Sequence, residues 1–280
     1  MEIVISENIP HIFVTNGGGR TEKEKADQLA GWLECEVTAD QVILSHTPMK
    51  SLLPKFGAEK VLIGGPERVL GVAKGYGYTD AVHIADVVKA DPHVWPCGDH
   101  QFDDPEGERV DMADIRAVLY MHDDDSWGRD IQVICDALMA GIARGQQTPL
   151  YFSNPDFVYA AHHPLPRLAQ GAFREALRAV YEGMSGRPLV YTTFGKPNAA
   201  TYEYAQDAIN IQAGEPISRV FGIGDNPASD IAGANAKAGW GSVLLHTGVW
   251  DGVSEPEFPP DYVAKDVLEA VVNIVEGKFS

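Results

Sequence analysis

The chain has 280 residues, 45% hydrophobic and 22% charged, with 40 acidic against 22 basic side chains and a formal net charge of −18. Its length suits about two globular domains with a buried core. The acidity argues against nucleic acid, which needs a basic footprint, and against an anionic membrane surface. It leaves small anionic substrates open, because a few well-placed cations reverse the field in a small site.

Residues 1–10 read as the tail of a helix and contain no aspartate. Ile12-Phe13-Val14 is strand-like and ends in Thr15-Asn16-Gly17-Gly18-Gly19. There a hydroxyl, an amide and small residues let main-chain N–H groups approach an anion, or form a plain flexible turn. A helix follows over 21–33, with Thr21 as N-cap and two glutamates in its first turn. The pattern then predicts a strand at 41–44, a short helix at 48–56, a strand at 60–63 and a helix at 67–74. Residues 91–114, rich in Asp, Pro, Gly and His, read as a long loop. Beyond it come a strand at 115–120, a helix at 130–143, a strand at 149–152 and an amphipathic helix at 168–184. Between the last two, Ser153-Asn154-Pro155-Asp156 offers either polar substrate contacts or an ordinary Asn-Pro turn.

Leu189-Val190-Tyr191 is strand-like and leads through Thr192-Thr193-Phe194 to Gly195-Lys196-Pro197. Pro197 suits the first turn of a helix running through Tyr202 to Ala208, so Lys196 falls at a helix start or on a plain surface. The run Val220 to Ile223 breaks at Gly224 into a loop carrying Asp225 and Asp230, before a helix at 231–236. Both acids thus sit at the carboxyl end of a strand, where open α/β sheets bind ligands. Two hard oxygen ligands there suit Mg²⁺, unless Asp230 merely caps a helix. A strand at 243–245 and a helix at 264–275 close the chain. Strands alternating with helices predict a parallel α/β sheet.

Cys35, Cys97 and Cys135 are odd in number and widely spaced. They form no disulfide framework and no zinc pattern; Cys97-Gly98-Asp99-His100 lacks a second pair of ligands. A reducing intracellular setting, cytoplasmic or mitochondrial, fits this usage. No apolar run approaches the roughly 20 residues that span a bilayer. No targeting segment is visible at this N-terminus. His162-His163, ahead of two prolines, reads as an exposed loop.

Three strand ends carrying a threonine, then a lysine, then paired aspartates resemble the haloacid dehalogenase (HAD) superfamily of phosphohydrolases. Thr15 matches its second motif, Lys196 its third, and Asp225 with Asp230 its fourth. In detail, TNGGG at 15–19, SHTPMKSLL at 45–53, GVAKGYGY at 71–78 and GKPNAATYEYA at 195–205 look like one subfamily IIA group. That group is the HAD-like hydrolase domain-containing protein 5, or cat eye syndrome critical region protein 5, family, and the resemblance runs to about Val275. It implies an α/β fold: a HAD-like Rossmannoid core with a parallel sheet over 1–57 and 189–280, and an inserted α/β C2-type cap over 58–188. It also implies a small phosphorylated substrate and a Mg²⁺ cofactor. Thr15 and the backbone at Asn16 and Gly17 would hold phosphoryl oxygens, and Lys196 would neutralise phosphate charge and position the nucleophile. Asp225 would bind Mg²⁺, with Asp230 supporting the metal or its waters. Asn154 and Asp156, in a late-cap loop, would lie near the substrate.

One departure from the family decides the expected activity. HAD phosphatases take a nucleophile and a general acid/base from an Asp-x-Asp motif on a strand before the threonine motif. No such motif precedes Ile12 here. Asp123-Asp124-Asp125 imitates it but lies between the threonine and lysine motifs, an order no circular permutation produces, and reads as the start of a cap helix with acids in its first turn. Residues 1–280 are therefore expected to be hydrolytically inactive, with an unfilled central position in the sheet, and poorly stable or homo-oligomeric. Two alternatives stand beside the phosphohydrolase: a non-catalytic HAD-fold module binding phosphate, Mg²⁺ or a protein partner, and a nucleotide-binding Rossmann protein suggested by Gly222-x-Gly224. The last lacks the third glycine and the ribose-binding acid.

Overall fold

A computed structural model describes residues 1–97, 105–159, 161–250 and 252–279. Among them the strands are β1 (Phe13–Val14), β2 (Val42–Ile43), β3 (Val61–Gly64), β4 (Ala81–His83), β5 (Ala117–Tyr120), β6 (Leu150–Phe152), β7 (Val158–Tyr159), β8 (Arg167–Leu168), β9 (Thr192–Thr193), β10 (Val220–Gly224), β11 (Trp240–Leu245) and β12 (Tyr262–Ala264). The chain forms two compact units. The first comprises Met1–Thr15, Glu22–Leu44 and Gly195–Ser280; the second comprises Asn16–Thr21 and Ser45–Phe194. The glycine loop after Thr15 thus belongs to the second unit, and the chain passes between units at 15/16, 21/22, 44/45 and 194/195.

The second unit is built on a parallel sheet in the order β4-β3-β5-β6-β9, with an antiparallel β7-β8 pair beside it in sequence. Every residue of β3 and β5 is buried. That is why their sequences, VLIG and AVLY, are continuous apolar runs without polar alternation. Tyr120 stacks on Phe173 with centroids 4.2 Å apart, and its hydroxyl donates to the buried Asp130 at 3.0 Å. Arg129 Nε donates to the other Asp130 oxygen at 2.9 Å, so the buried carboxyl is fully partnered.

Several boundaries differ from the sequence expectation. β4 and the helix Ile84–Ala90 occupy a stretch assigned no element, because β4 ends in the polar His83. This histidine is buried by bonding Gly65 O through Nε2 (2.8 Å) and Ala85 N through Nδ1 (3.1 Å). Residues 189–191 are not a strand: Gln147 captures both main-chain groups of Val190, so pairing with β6 starts only at Thr192. The helix Trp127–Ala143 begins earlier than expected, and the Asp123–Asp125 run precedes it instead of filling its first turn. Cys97 is exposed, while residues 98–100 of the Cys-Gly-Asp-His segment lie outside the described residues.

In the first unit β1 pairs with β2, and in a separate sheet β10 pairs with β11 and β11 with β12, all parallel. The expected helix at 264–275 divides into β12 and the helix Val267–Val275. A cleft of about 620 Å³ lies between β1 and β10, lined by Ile12, Phe13, Phe221, Ile223, Val271 and Ile274 among others. β10 is accordingly half-buried along most of its length, whereas its neighbour β11 is buried from Gly241 to Leu245.

Candidate functional site

The site forms where β1 and β10 end. Lys196 Nζ donates to the main-chain oxygen of Val14 at 3.1 Å and to Asp230 Oδ1 at 2.6 Å. The two side chains are only 16% and 12% exposed, so the pair is largely shielded from solvent. Thr15 follows Val14 directly and is tied to β2 by its N–H to Ile43 O at 3.0 Å. Lys196 itself lies in a turn: the helix expected to start at Pro197 is Ala199–Ala213, after Asn198 has bonded back to Gly195 O.

Asp230 is not a helix cap. It sits in a π-helical turn, Pro227–Ile231, whose N-cap is Asn226. Its second oxygen accepts the Asn226 N–H at 3.1 Å. Tyr202 secures the turn, its hydroxyl donating to Ser229 O at 3.1 Å and Asp230 O at 3.0 Å. Burial, with the charge of Asp230 adding, pushes this phenol's pKa up. Gly224 is required at the strand end, because a Cβ there would lie 2.3 Å from Asp230 Cγ.

Asp225 is held separately. Its Oδ2 accepts the Val249 N–H at 2.6 Å and its main-chain oxygen accepts the Trp250 N–H at 3.1 Å. Gly248, at φ +106°, packs so closely that a Cβ would fall 2.0 Å from Asp225 Oδ2. Among the described residues no group of three or more His, Cys, Asp or Glu side chains is gathered to hold a metal. This donor set, one or two carboxylates with water and phosphate completing the shell, fits Mg²⁺ and does not fit zinc. Both oxygens of Asp230 accept hydrogen bonds, and so does Oδ2 of Asp225.

The remaining expected residues belong to the second unit. Asn16 Nδ2 donates to both oxygens of Asp156 at 3.2 Å. Asn154 has a different role: its Oδ1 accepts the Asp156 N–H at 3.0 Å and its own N–H donates to Gln170 Oε1 at 2.8 Å. It shapes the loop, and Asp156 is the residue that reaches Asn16. The main chain of Gly17 accepts the Ser45 N–H at 3.2 Å. Gly19, at φ +76°, lies flat against His122, and Arg68 Nε donates to its carbonyl. Burial, aided by Arg68 and Arg20, lowers the His122 pKa to about 4. Burial also raises Asp123 to about 6, with the nearby Asp156 charge adding. His122, Arg68, Asn226 and Gly248 were not singled out from sequence. Of these only Gly248, as a glycine, carried a signal, and it did not identify its partner.

The haloacid dehalogenase-like hydrolase family model matches residues 1–79, and the HAD-hydrolase-like model matches residues 193–270. A mitochondrial hydrolase of Saccharomyces cerevisiae is 34% identical over 315 aligned positions, covering 99% of this chain and 89% of that protein. A Schizosaccharomyces pombe cardiolipin synthase/mitochondrial hydrolase fusion protein is 32% identical, and the chain spans 48% of its length. Among solved structures, a p-nitrophenyl phosphatase from Archaeoglobus fulgidus superposes with a TM-score of 0.69 at 20% identity, over 97% of this chain and 88% of that one. A hypothetical protein from Pyrococcus horikoshii gives 0.70 at 18% identity, over 98% and 90%. At that identity the structures establish the fold: a parallel α/β architecture of the HAD type. The chain belongs to the HAD-like hydrolase family.

Proposed function

We propose that residues 1–280 form the phosphate- and Mg²⁺-handling body of a HAD-type phosphomonoesterase. The observation that carries this reading is the shielded Lys196–Asp230 pair, anchored on the last residue of β1. It sets a fixed cation beside Thr15, with the carboxylate of Asp225 following β10. Phosphoryl transfer needs this kind of preset charge and position more than covalent chemistry from the protein. When bound, Mg²⁺ would neutralise charge on the phosphoryl oxygens, held by Asp225 with Asp230 ordering its waters. Lys196 would balance phosphate charge, and Thr15 would hold a phosphoryl oxygen. Substrates are small phosphate esters; the p-nitrophenyl phosphatase name of a structural relative supports that class. The name of the yeast relative supports the mitochondrial member of the two compartments considered.

Residues 1–280 place no Asp-x-Asp on a strand before Thr15. They are therefore expected to bind Mg²⁺ and orthophosphate without turnover. Calorimetric titration with each, beside a p-nitrophenyl phosphate assay, tests this. Binding lost in Asp225→Ala, with no hydrolysis, is the expected outcome. Mg²⁺-dependent turnover would overturn the inactivity and keep the phosphatase. Failure to bind either ion would overturn the reading in favour of a non-catalytic partner module.

A further inference from the structure

In the second unit the sheet order β4-β3-β5-β6-β9 reverses at β3 and β5: the chain leaves β3 toward β4 and leaves β5 toward β6. In open α/β sheets, ligands bind at the carboxyl ends of such a strand pair. Here those ends are fixed to one another. Gly65, after β3, packs on the main chain of His122, after β5, where a Cβ would fall 3.0 Å from the His122 oxygen. The Gly65 carbonyl accepts from His83 Nε2 at 2.8 Å. The segment Asn16–Thr21 crosses this edge: Gly19 lies on the Cδ2 side of the His122 ring, Arg68 Nε donates to Gly19 O, and Arg20 follows.

Arg20 and Arg68 are both exposed. Among the described residues neither is ion-paired, and the bond to Gly19 O is the one side-chain hydrogen bond of Arg68. In a chain with 40 acidic against 22 basic side chains, an arginine readily finds a carboxylate, as Arg109, Arg129 and Arg178 do. Two acids close by serve other groups. Glu67, adjacent to Arg68, pairs with Lys89 at 3.3 Å, and Asp123 lies 3.9 Å from Nδ1 of His122, away from the edge that Gly19 covers. Two guanidinium charges thus flank one segment without a counter-charge from the described residues.

We propose that Arg20, Arg68 and His122 form a binding site, at this sheet edge, for the carboxylate or phosphate group of a small molecule. A guanidinium fork matches two oxygens of either group, and the Nη atoms of Arg68 remain for it because the bond to Gly19 uses Nε. Burial, then the charges of Arg68 and Arg20, hold the His122 pKa at about 4, so near neutral pH the ring donates one N–H without adding a third positive charge. A bound anion would supply the missing counter-charge and favour protonation of the same ring. The site uses residues of the second unit alone and does not depend on the phosphatase reading.

The test follows the His122 ring resonances by proton–carbon NMR in residues 1–280 while malonate, or separately orthophosphate, is added at constant ionic strength. The expected result is a saturable shift, with the His122 pKa rising by about one unit at saturation. Arg20→Gln and Arg68→Gln should each weaken binding about tenfold, the loss expected of one charge-assisted hydrogen bond. Arg68→Lys should recover only part, because it keeps the charge and loses the fork. Saturation by malonate assigns a carboxylate ligand, and saturation by orthophosphate alone a phosphate group. If Arg68→Gln does not fold, Arg20→Gln decides, since no hydrogen bond among the described residues depends on that side chain. No movement of His122 with either anion overturns the proposal. So does a shift that never saturates, or one that both arginine variants retain in full.

Discussion

Lys196 Nζ lies 2.6 Å from Asp230 Oδ1 while also holding the carbonyl of Val14, at 3.1 Å. One ammonium thereby fixes the end of β1 to the turn that follows β10. Neither contact is near in sequence, and both depend on the same three-donor head group.

Removing that head group leaves Asp230 shielded and unpaired. Lys196→Met should cost about 2–3 kcal/mol, since breaking a shielded pair strands a charge. Lys196→Met combined with Asp230→Asn should recover most of the loss in a urea denaturation series. Recovery of stability without recovery of phosphate binding would assign the lysine a ligand role beyond packing. A double variant no more stable than the single one would refute the pairing.

Gly248 is expected to control Mg²⁺ affinity through Asp225. A methyl group at φ +106° would land on Asp225 Oδ2 and displace it from Val249 N–H. Gly248→Ala should weaken Mg²⁺ binding by about 10–100-fold, the usual effect of disturbing a group that orients a ligand. Titration calorimetry reads this directly, and unchanged affinity would remove Asp225 from the metal site.

Two glycines should respond oppositely to alanine. Gly19 sits at φ +76° with its would-be Cβ 2.3 Å from the His122 ring. Gly19→Ala should therefore destabilise by roughly 2–4 kcal/mol, combining backbone strain and overpacking. Gly31, in the helix Glu22–Leu33, has nothing within 4 Å of that position. Gly31→Ala should stabilise by about 0.5–1 kcal/mol. Thermal melts of the two variants give the comparison.

His122 and Asp123 oppose each other in pH dependence. The His122 pKa is depressed from 6.5 to about 4, so its stabilising contribution is complete above pH 6.5 and lost as pH falls through about 4. The Asp123 pKa is raised from 3.8 to about 6, so its contribution is complete below pH 3.8 and lost as pH rises through about 6. Relative to the unaltered chain, His122→Gln should lose stability more steeply as pH rises from 4 to 6. Asp123→Asn should lose it more steeply as pH falls from 6.5 to 4. Denaturation at several pH values settles both signs, and identical slopes in all three proteins would contradict them.

Much of the frame was legible in the residues themselves. Apolar runs at 61–64 and 117–120 announce buried parallel strands, because a strand covered on both faces has no reason to alternate. Thr15, Lys196, Asp225 and Asp230 were legible for a similar reason: each is a polar residue close behind an apolar run, where a sheet ends and its ligand edge begins. Local signals failed where a distant partner intervened. Val190 reads as strand but gives its main-chain groups to Gln147, 43 positions earlier. His83 lies in a stretch assigned no element from sequence, yet it ends β4 and is buried with bonds to Gly65 and Ala85.

The sequence by itself determined which groups exist and in what order the strands deliver them. Only the tertiary structure decided their partners. It gave Asn154 to its own loop and Asp156 to Asn16, set Gly248 on Asp225, and left β1 and β10 facing an apolar cleft. The physical reason is the range of the interactions. Burial and periodicity are properties of a dozen consecutive residues, whereas a hydrogen bond spans about 3 Å between residues that only the completed fold brings together.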